Sequence, residues 1–390
     1  MSVSKKNKID CCGCNACAEI CPKHCIAMKH DEYGFLYPEV YESLCIECGA
    51  CERVCPFPAY EIDLNYPLKA FAAWANDEKA YERSSSGGAA YVISHTILSE
   101  GGVVYGCASD GLDIRHVRVD RLEDLPKLQG SKYVQSDVCG LFSQVRTDLK
   151  VGRKVVFIGT PCQVAGLKKF IKKVPDNLLL VDLICHGTPS QQMLREHIAH
   201  IVGDKKINKI TFRRGNSYIL DIESNGKKIW DANLWESPYK DMYLHAFIKG
   251  YNSRPCCHHC TFARPERVSD ITIGDFWGLG EDCPRPKDCE MGISVILPAT
   301  EKGLAVTQVI KSQMTLVERP VSEAITGNSQ LHEPLGESND SRRFMQLYPK
   351  LSFDRAVRAV VLKKMVKYRL KIMLRPLRPV LKPIINVVRR

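Results

Sequence analysis

The chain has 390 residues, 45% of them hydrophobic and 25% charged, and it carries 19 cysteines. That length allows two or three domains, and the composition excludes a disordered or fibrous chain. No run of about eighteen apolar residues is present, so no membrane-spanning helix is expected. The net charge of +11 resides in one place: residues 355–390 hold 12 Lys/Arg and no Asp or Glu, while the other 43 cations face 44 acids. A basic nucleic-acid-binding body is therefore excluded. The first ten residues are polar and lysine-rich, without an apolar signal core, so the expected location is the cytoplasm. Thiols stay reduced there, and cysteines serve as metal ligands or core residues rather than disulfides.

The first legible feature reads C-x-x-C-x-x-C-x-x-x-C-P at Cys11, Cys14, Cys17, Cys21 and Pro22. The same spelling returns at Cys45, Cys48, Cys51, Cys55 and Pro56. Close spacing lets three thiolates of one loop grip one iron–sulfur cube, while the fourth, before proline, reaches the other cube. The pattern predicts two [4Fe–4S] clusters in a domain spanning residues 1–60. One is held by Cys11, Cys14, Cys17 and Cys55, the other by Cys45, Cys48, Cys51 and Cys21. Cys12 and Cys25 fall outside the spacing and are read as spectators. Zinc uses four ligands, usually as two C-x-x-C pairs, and does not explain two quartets each closed by Cys-Pro.

After a proline-containing connector (Phe57–Pro67), Lys69–Asn76 reads as a short strand. Ala89–Leu98 reads as a helix ended by Gly101–Gly102. Val103–Ala108 and Ile114–Val119 read as strands joined through Asp110–Gly111. Helices are expected over Val138–Leu149, Gln163–Lys173 and Ser190–Val202, and fully buried strands over Lys154–Ile158 and Leu178–Ile184. Continuous apolar strands alternating with helices predict a parallel sheet. The loops Gly159–Gln163 and Cys185–Ser190 then lie at strand carboxyl ends, where open α/β sheets bind ligands. Ile207–Arg213, Tyr218–Glu223 and Lys227–Leu234 predict an antiparallel meander turning at Asn225–Gly226. Ser237–Ile248 reads as a helix and Gly292–Leu297 as a strand. Beyond Glu301 little is legible before the basic tail.

Cys257 and Cys260 form a C-x-x-C, and Cys162 and Cys185 follow neighbouring strands. These four thiols suit a third [4Fe–4S] cluster, a zinc site with His258 or His259, or free cysteines, and spacing leaves the three readings open. Cys107, Cys139, Cys283 and Cys289 are read as structural, and Cys256 as a neighbour. His186 is a candidate proton donor to a substrate, against the plainer reading of a hydrogen-bonded loop histidine. Ser84, Ser85, Ser86, Gly87 and Gly88 precede a helix, and suit either a diphosphate cradle or a serine N-cap with a glycine hinge. There is no G-x-G-x-x-G after a strand, so no Rossmann dinucleotide site is expected.

Six strings occur together: SSSGG at Ser84–Gly88, GSKYVQS at Gly130–Ser136, FIGTPCQVAGL at Phe157–Leu167, DLICHGTPS at Asp182–Ser190, CCHHC at Cys256–Cys260 and SDITIGDFWG at Ser269–Gly278. In this order they resemble the coenzyme F420 hydrogenase/dehydrogenase beta-subunit family, over about residues 1–300. The closest resemblance is to bacterial members with an N-terminal two-cluster ferredoxin, often associated with surface-polysaccharide biosynthesis. The resemblance implies FAD, with phosphate binding at Ser84–Gly88 and further contacts from Lys132, Gln135, Gly159, Thr160 and Gln163. It also favours the third cluster.

The expected fold class is therefore α+β / α/β. A bacterial-ferredoxin-like dicluster domain (1–60) precedes an α/β flavin-binding domain (68–300), a C-terminal extension (301–352) and a basic amphipathic helical tail (353–390). In that tail Val357, Val361, Met365, Tyr368 and Ile372 form one helical stripe flanked by Lys and Arg, with Pro376, Pro379 and Pro383 ending the helix. The stripe predicts peripheral attachment of 355–375 to an anionic membrane at the inner face of the cell membrane; a docking helix for an acidic partner is the alternative. The expected activity is that of an iron–sulfur flavoprotein oxidoreductase. It exchanges electrons with a ferredoxin-like carrier, and FAD collects two of them for a small-molecule substrate. The alternatives are an electron-transfer subunit with no substrate of its own and an F420-dependent reductase. No nucleic-acid partner is expected.

Overall fold

A computed structural model describes residues 3, 6–57, 62–286 and 289–373, the Cys289 side chain excepted. Part of the expected connector and the prolines of the tail lie outside these residues. The strands are β1 (Ile26–His30), β2 (Leu36–Val40), β3 (Ala70–Ala75), β4 (Val103–Asp110), β5 (Asp113–Val119), β6 (Val155–Gly159) and β7 (Leu178–Leu183). They continue with β8 (Lys209–Arg214), β9 (Ser217–Ser224), β10 (Lys227–Asn233), β11 (Ile271–Asp275), β12 (Ser294–Pro298) and β13 (Met314–Arg319).

In the cysteine-rich region β1 and β2 pair antiparallel, and two short helices, Ala16–Ile20 and Ala50–Arg53, follow the two cysteine runs. The sequence repeat is also a backbone repeat. Gly13 and Glu47, and Asn15 and Gly49, occupy equivalent places in the two runs, and all four have positive φ. Left-handed residues alternating with cysteines curl each loop so that its three thiols face inward. Glu47 accepts that conformation without being glycine, which L residues rarely do.

The central sheet runs β13-β3-β12-β11-β7-β6-β4-β5. Its middle, β4, β6, β7 and β11, is parallel, as the apolar runs predicted. Both flanks are antiparallel, so the sheet is mixed. β11 lies within SDITIGDFWG, where no strand was expected. β13 falls in the stretch after Glu301 that read as featureless, and it forms the sheet edge on β3. The meander β8-β9-β10 forms a separate sheet. Its Asn225–Gly226 turn has positive φ at both residues, the geometry that favours Asn-Gly.

Helix starts shift where local chemistry dictates. The expected 163–173 helix is Pro161–Ile171, because Thr160 and Gln163 form a capping box ahead of Pro161. The expected 138–149 helix is Leu141–Lys150, started by Gly140 at positive φ. Gly140 has no side chain to cap the free N–H groups, so Glu19 supplies its carboxylate. It accepts from Ser143 N at 2.8 Å and Phe142 N at 3.4 Å. The cysteine-rich region is thus latched onto the sheet's helical layer. The helix expected over 237–248 shortens to Met242–Ile248, with Asp241 as its N-cap.

The tail stripe is corrected. In the helix Phe353–Met373, Val357 and Val361 are fully buried and Met365 nearly so. They pack in a core with Met193, Leu194, Tyr243 and Phe344. The stripe was legible, but protein rather than lipid covers it. Tyr368 meets Tyr239 edge-on, and only Ile372 stays exposed.

A buried charge cluster pins this helix. His197, on Gln191–Val202, sits between Asp241 (2.9 Å) and Asp354 (3.0 Å), and all three side chains are at most 2% exposed. Burial alone lowers the His197 pKa, but the two carboxylates outweigh it and carry it to about 10. The folded pKa exceeds the unfolded value of about 6.5, so the stabilisation is complete below pH ~6.5 and fades as pH rises through 10. His197→Gln is expected to cost about 3–5 kcal/mol by leaving buried carboxylates uncompensated. Anaerobic thermal unfolding should show wild-type Tm falling between pH 7 and 10, with a flatter dependence in the variant.

Candidate functional site

Three cavities bring the candidate residues together. The first, about 250 Å³, is lined by Cys11, Cys14, Cys17 and Cys55, with Cys12, Lys6 and Tyr37. The second, about 480 Å³, is lined by Cys45, Cys48, Cys51 and Cys21. Each cavity therefore gathers three cysteines of one run and the Cys-Pro cysteine of the other. Cys17 is pushed up to about 12 by burial and by the nearness of Cys11, Cys55 and Cys51, so the quartets also adjoin. Lys6 Nζ donates to Cys55 Sγ at 2.8 Å. Cys25, read as a spectator, lines the second cavity with its sulfur 3.4 Å from that of Cys21.

Cys12 is not idle either. It is buried in the core cluster that also takes in Cys14 and Cys162. Cys162 occupies the first turn of Pro161–Ile171. One turn later on the same helix, Gly166 meets the first quartet: a Cβ there would lie 2.8 Å from Cys14 Sγ. The helix can approach this closely only because position 166 has no side chain.

Cys162, Cys257 and Cys260 pack against one core cluster, and Cys185 lines the same cavity as Cys162. Cys12 and burial hold the Cys162 thiol well above its ordinary range, with Cys257 adding to the effect. Burial does the same to Cys185, followed by Cys257, Cys162 and Cys260. Cys260 is pushed up to about 12 by burial, then by Cys162 and Cys257. Cys257 differs, lowered to about 7 chiefly by the Cys256 thiol beside it; the other three, crowded and buried, ionise readily only against a cation such as the iron of a cluster. Among the described residues no three His, Cys, Asp or Glu side chains close on a point as one bound metal ion would need. His258 Nδ1 donates to Gly336 O at 2.9 Å.

The third cavity, about 350 Å³, opens at the carboxyl ends of β6, β7 and β11. Ser84, Ser85, Ser86, Gly88, Lys132, Gln135, Gly159, Thr160, Gln163, Cys162, Cys185 and His186 all line it. Its size is ordinary for a small-molecule or cofactor site. Two buried polar atoms in its wall, Ser86 Oγ and Gln129 Nε2, have no protein partner. The N-terminus of Ala89–Ser99 faces the same space, so a phosphate-bearing cofactor fits the groups present.

Several candidates have other duties. Gly87 does not line the cavity; a Cβ there would lie 1.9 Å from Ala73 O, so its role is close packing on β3. Lys132 Nζ is spent on the carbonyls of Cys107, Leu128 and Gln129, so it fixes a loop rather than offering a free cation. Ser84 donates to Ala80 O, and Gln163 caps its own helix and reaches Ser136. Burial lowers the His186 pKa, and its Nε2 is 3.2 Å from Ile248 O, so it stays neutral near pH 7 and is a poor acid.

Of the far wall only Asp275 is open to a sequence reading, as either a turn cap or a cofactor contact. Arg213 there pairs with Asp275 through two contacts, one at 2.8 Å, and lies over the rings of Tyr218 and Trp277. Arg213 sits on the meander, where no motif marks it. Trp277 belongs to SDITIGDFWG, which could have pointed to it.

Comparison with known proteins agrees with this layout. Residues 10–59 match the 4Fe-4S dicluster domain, and residues 152–324 match the C-terminal part of the coenzyme F420 hydrogenase/dehydrogenase beta subunit. The F subunit of the F(420)H(2) dehydrogenase of Methanosarcina mazei is 21% identical over 368 residues, covering 90% of this chain and 95% of that protein. A ferredoxin of Mycolicibacterium smegmatis is 39% identical over 79 residues, covering 20% of this chain and 69% of the ferredoxin. A chain of the F420-reducing [NiFe] hydrogenase complex from Methanosarcina barkeri aligns with a TM-score of 0.46 at 17% identity, over 73% of this chain and 96% of that one. The chain therefore carries a 4Fe-4S dicluster domain followed by a domain matching the C-terminal part of the coenzyme F420 hydrogenase/dehydrogenase beta subunit.

Proposed function

We propose that this electron-transfer protein holds three [4Fe–4S] clusters and one FAD, and exchanges electrons between a ferredoxin-like carrier and a small substrate. The observation that carries the reading is that Cys12, Cys14, Cys17 and Cys55 pack in one core cluster with Cys162, Cys257 and Cys260, and that Cys162 also lines the cavity. The first two clusters take the crossed quartets, and Cys162, Cys185, Cys257 and Cys260 take the third. FAD, when bound, supplies the exchange between one-electron and two-electron chemistry. Ser86 and the N-terminus of Ala89–Ser99 hold its diphosphate, and Gln129 Nε2 hydrogen-bonds along the cavity, while the Gln135 amide is taken up by Cys12 O and Arg254. Arg213, Asp275 and Trp277 orient the substrate at the far wall, and His186 contributes packing against Phe247 rather than a proton. A surface-polysaccharide intermediate and F420 are the two substrate classes in question.

The printed name of the Methanosarcina mazei relative, one subunit of a dehydrogenase, favours a second reading in which this chain relays electrons inside a larger complex. Turnover by the lone chain separates the two.

We infer, too, that the last helix meets an anionic lipid surface through the face opposite its buried stripe. Leu362, Val366, Leu370 and Met373 recur every three or four residues and are 49–72% exposed. Arg358 and Arg369 flank them on one side, Lys363 and Lys367 on the other, and all four cations are exposed. Residues 374–390 add Arg375, Arg378, Lys382, Arg389 and Arg390 without an acid. Apolar residues between cationic shoulders match an anionic bilayer, each cation adding about 1 kcal/mol. Among the described residues no helix is long and apolar enough to cross a membrane.

Anaerobically purified protein is expected to carry about twelve irons per chain and stoichiometric FAD. Cys162→Ser should leave about eight irons. Wild-type protein with about eight irons would remove the third cluster, and protein without flavin would remove the FAD assignment. Full-length protein should sediment with phosphatidylglycerol vesicles and not with phosphatidylcholine vesicles. A Leu362→Glu/Val366→Glu/Leu370→Glu variant should lose most of that binding; unchanged sedimentation would end the lipid assignment.

A further inference from the structure

Two arginines in this chain are almost completely enclosed, Arg254 at 1% and Arg267 at 2% exposure. Arg267 has the partner that burial demands, donating to Asp182 at 3.2 Å. Arg254 has none: among the described residues no carboxylate lies within ion-pair distance of it. An isolated buried cation is strongly unfavourable and persists only opposite a negative charge.

The surroundings of Arg254 indicate where that charge resides. Its Nε donates to Cys11 O and its Nη2 to Leu36 O, both at 2.7 Å, and Nη2 lies 3.8 Å from Cys11 Sγ. Its guanidinium plane lies 4.3 Å from the Tyr37 ring centroid and 5.4 Å from that of Phe35. Gly13, in the first cysteine loop, makes room for it: a Cβ there would lie 2.9 Å from Nη1. The anion-forming groups around it are Cys11 first, then the Tyr37 phenol, Cys256 and Cys12. Nη1 then donates to Gln135 Oε1 at 3.1 Å, and Gln135 Nε2 in turn donates to Cys12 O at 2.8 Å.

We infer that Arg254 is the counter-charge of the cluster bound by Cys11, Cys14, Cys17 and Cys55, and that it sets this cluster's potential above that of the other N-terminal cluster. The inference rests on the proposed cluster assignment. A thiolate-bound cube is anionic and gains one further negative charge on reduction, so a fixed cation 3.8 Å from a ligand sulfur favours the reduced form. Among the described residues the second quartet has no buried arginine: Arg53, whose Nη2 donates to Cys48 O, is exposed, and so is Lys23, which lines that cavity. Electrons entering the chain are thereby drawn to the cluster that adjoins Cys12 and Cys162.

The test is an anaerobic redox titration of the full chain, followed by EPR and paired with iron analysis. Arg254→Gln removes the charge. Gln135→Glu keeps the arginine but sets a carboxylate against it, with little change of shape. Both variants are expected to keep the wild-type iron content and to move one cluster wave to lower potential while the others stay. If Arg254→Gln loses iron, the loss should be confined to about four atoms, and Gln135→Glu still reports the shift. Full iron content with every wave unmoved in both variants overturns the role of Arg254 and leaves the cluster assignment standing. Wild-type protein without iron overturns the cluster assignment itself.

Discussion

The structure depends on how closely one helix approaches one cysteine loop. Pro161–Ile171 carries Cys162 in its first turn and Gly166 in its second, and both face the loop that holds Cys12 and Cys14. A side chain at position 166 would force the loop away from the helix and open the core in which Cys12 packs with Cys14 and Cys162. Glu19 supports the same approach from the other side by capping the Leu141–Lys150 helix. Everything proposed about electron flow requires that this junction stay short, because it is where the dicluster region meets the sheet that carries the cavity.

The two halves of the site use different physical means. In the cysteine-rich half, left-handed residues between cysteines curl short loops inward, and helix and strand contribute little. In the sheet half, ligand-facing loops follow parallel strands, and their positions are fixed by β6, β7 and β11. Arg254 connects them. It leaves the loop before Cys256, passes Gly13, and ends on Gln135 at the cavity wall. One buried side chain thus touches a predicted cluster ligand and a predicted cofactor contact.

What could be read from the sequence follows from how local each signal is. The doubled cysteine run was legible because ligand spacing is a local property, and the structure gathers the two quartets into separate cavities. The parallel centre was legible from apolar runs such as LLLVDL. β11 and β13 were not, since β11 pairs with β7 and β13 with β3, both far away in the chain. The tail shows the limit of periodicity. The stripe Val357–Val361–Met365 was real, but a stripe does not say what covers it. The opposite face, Leu362–Val366–Leu370, was the exposed one. Likewise, Lys132 and Gly87 fell in the right strings, yet their atoms serve a loop and a strand.

The most direct measurement of the central claim is the EPR spectrum of the anaerobically reduced full chain. The account predicts magnetic interaction between reduced clusters: broadened, split signals whose shape changes when Cys162→Ser removes the cluster beyond Cys12. A spectrum of isolated, non-interacting centres that is the same in both proteins would contradict the wiring through Cys12 and Cys162.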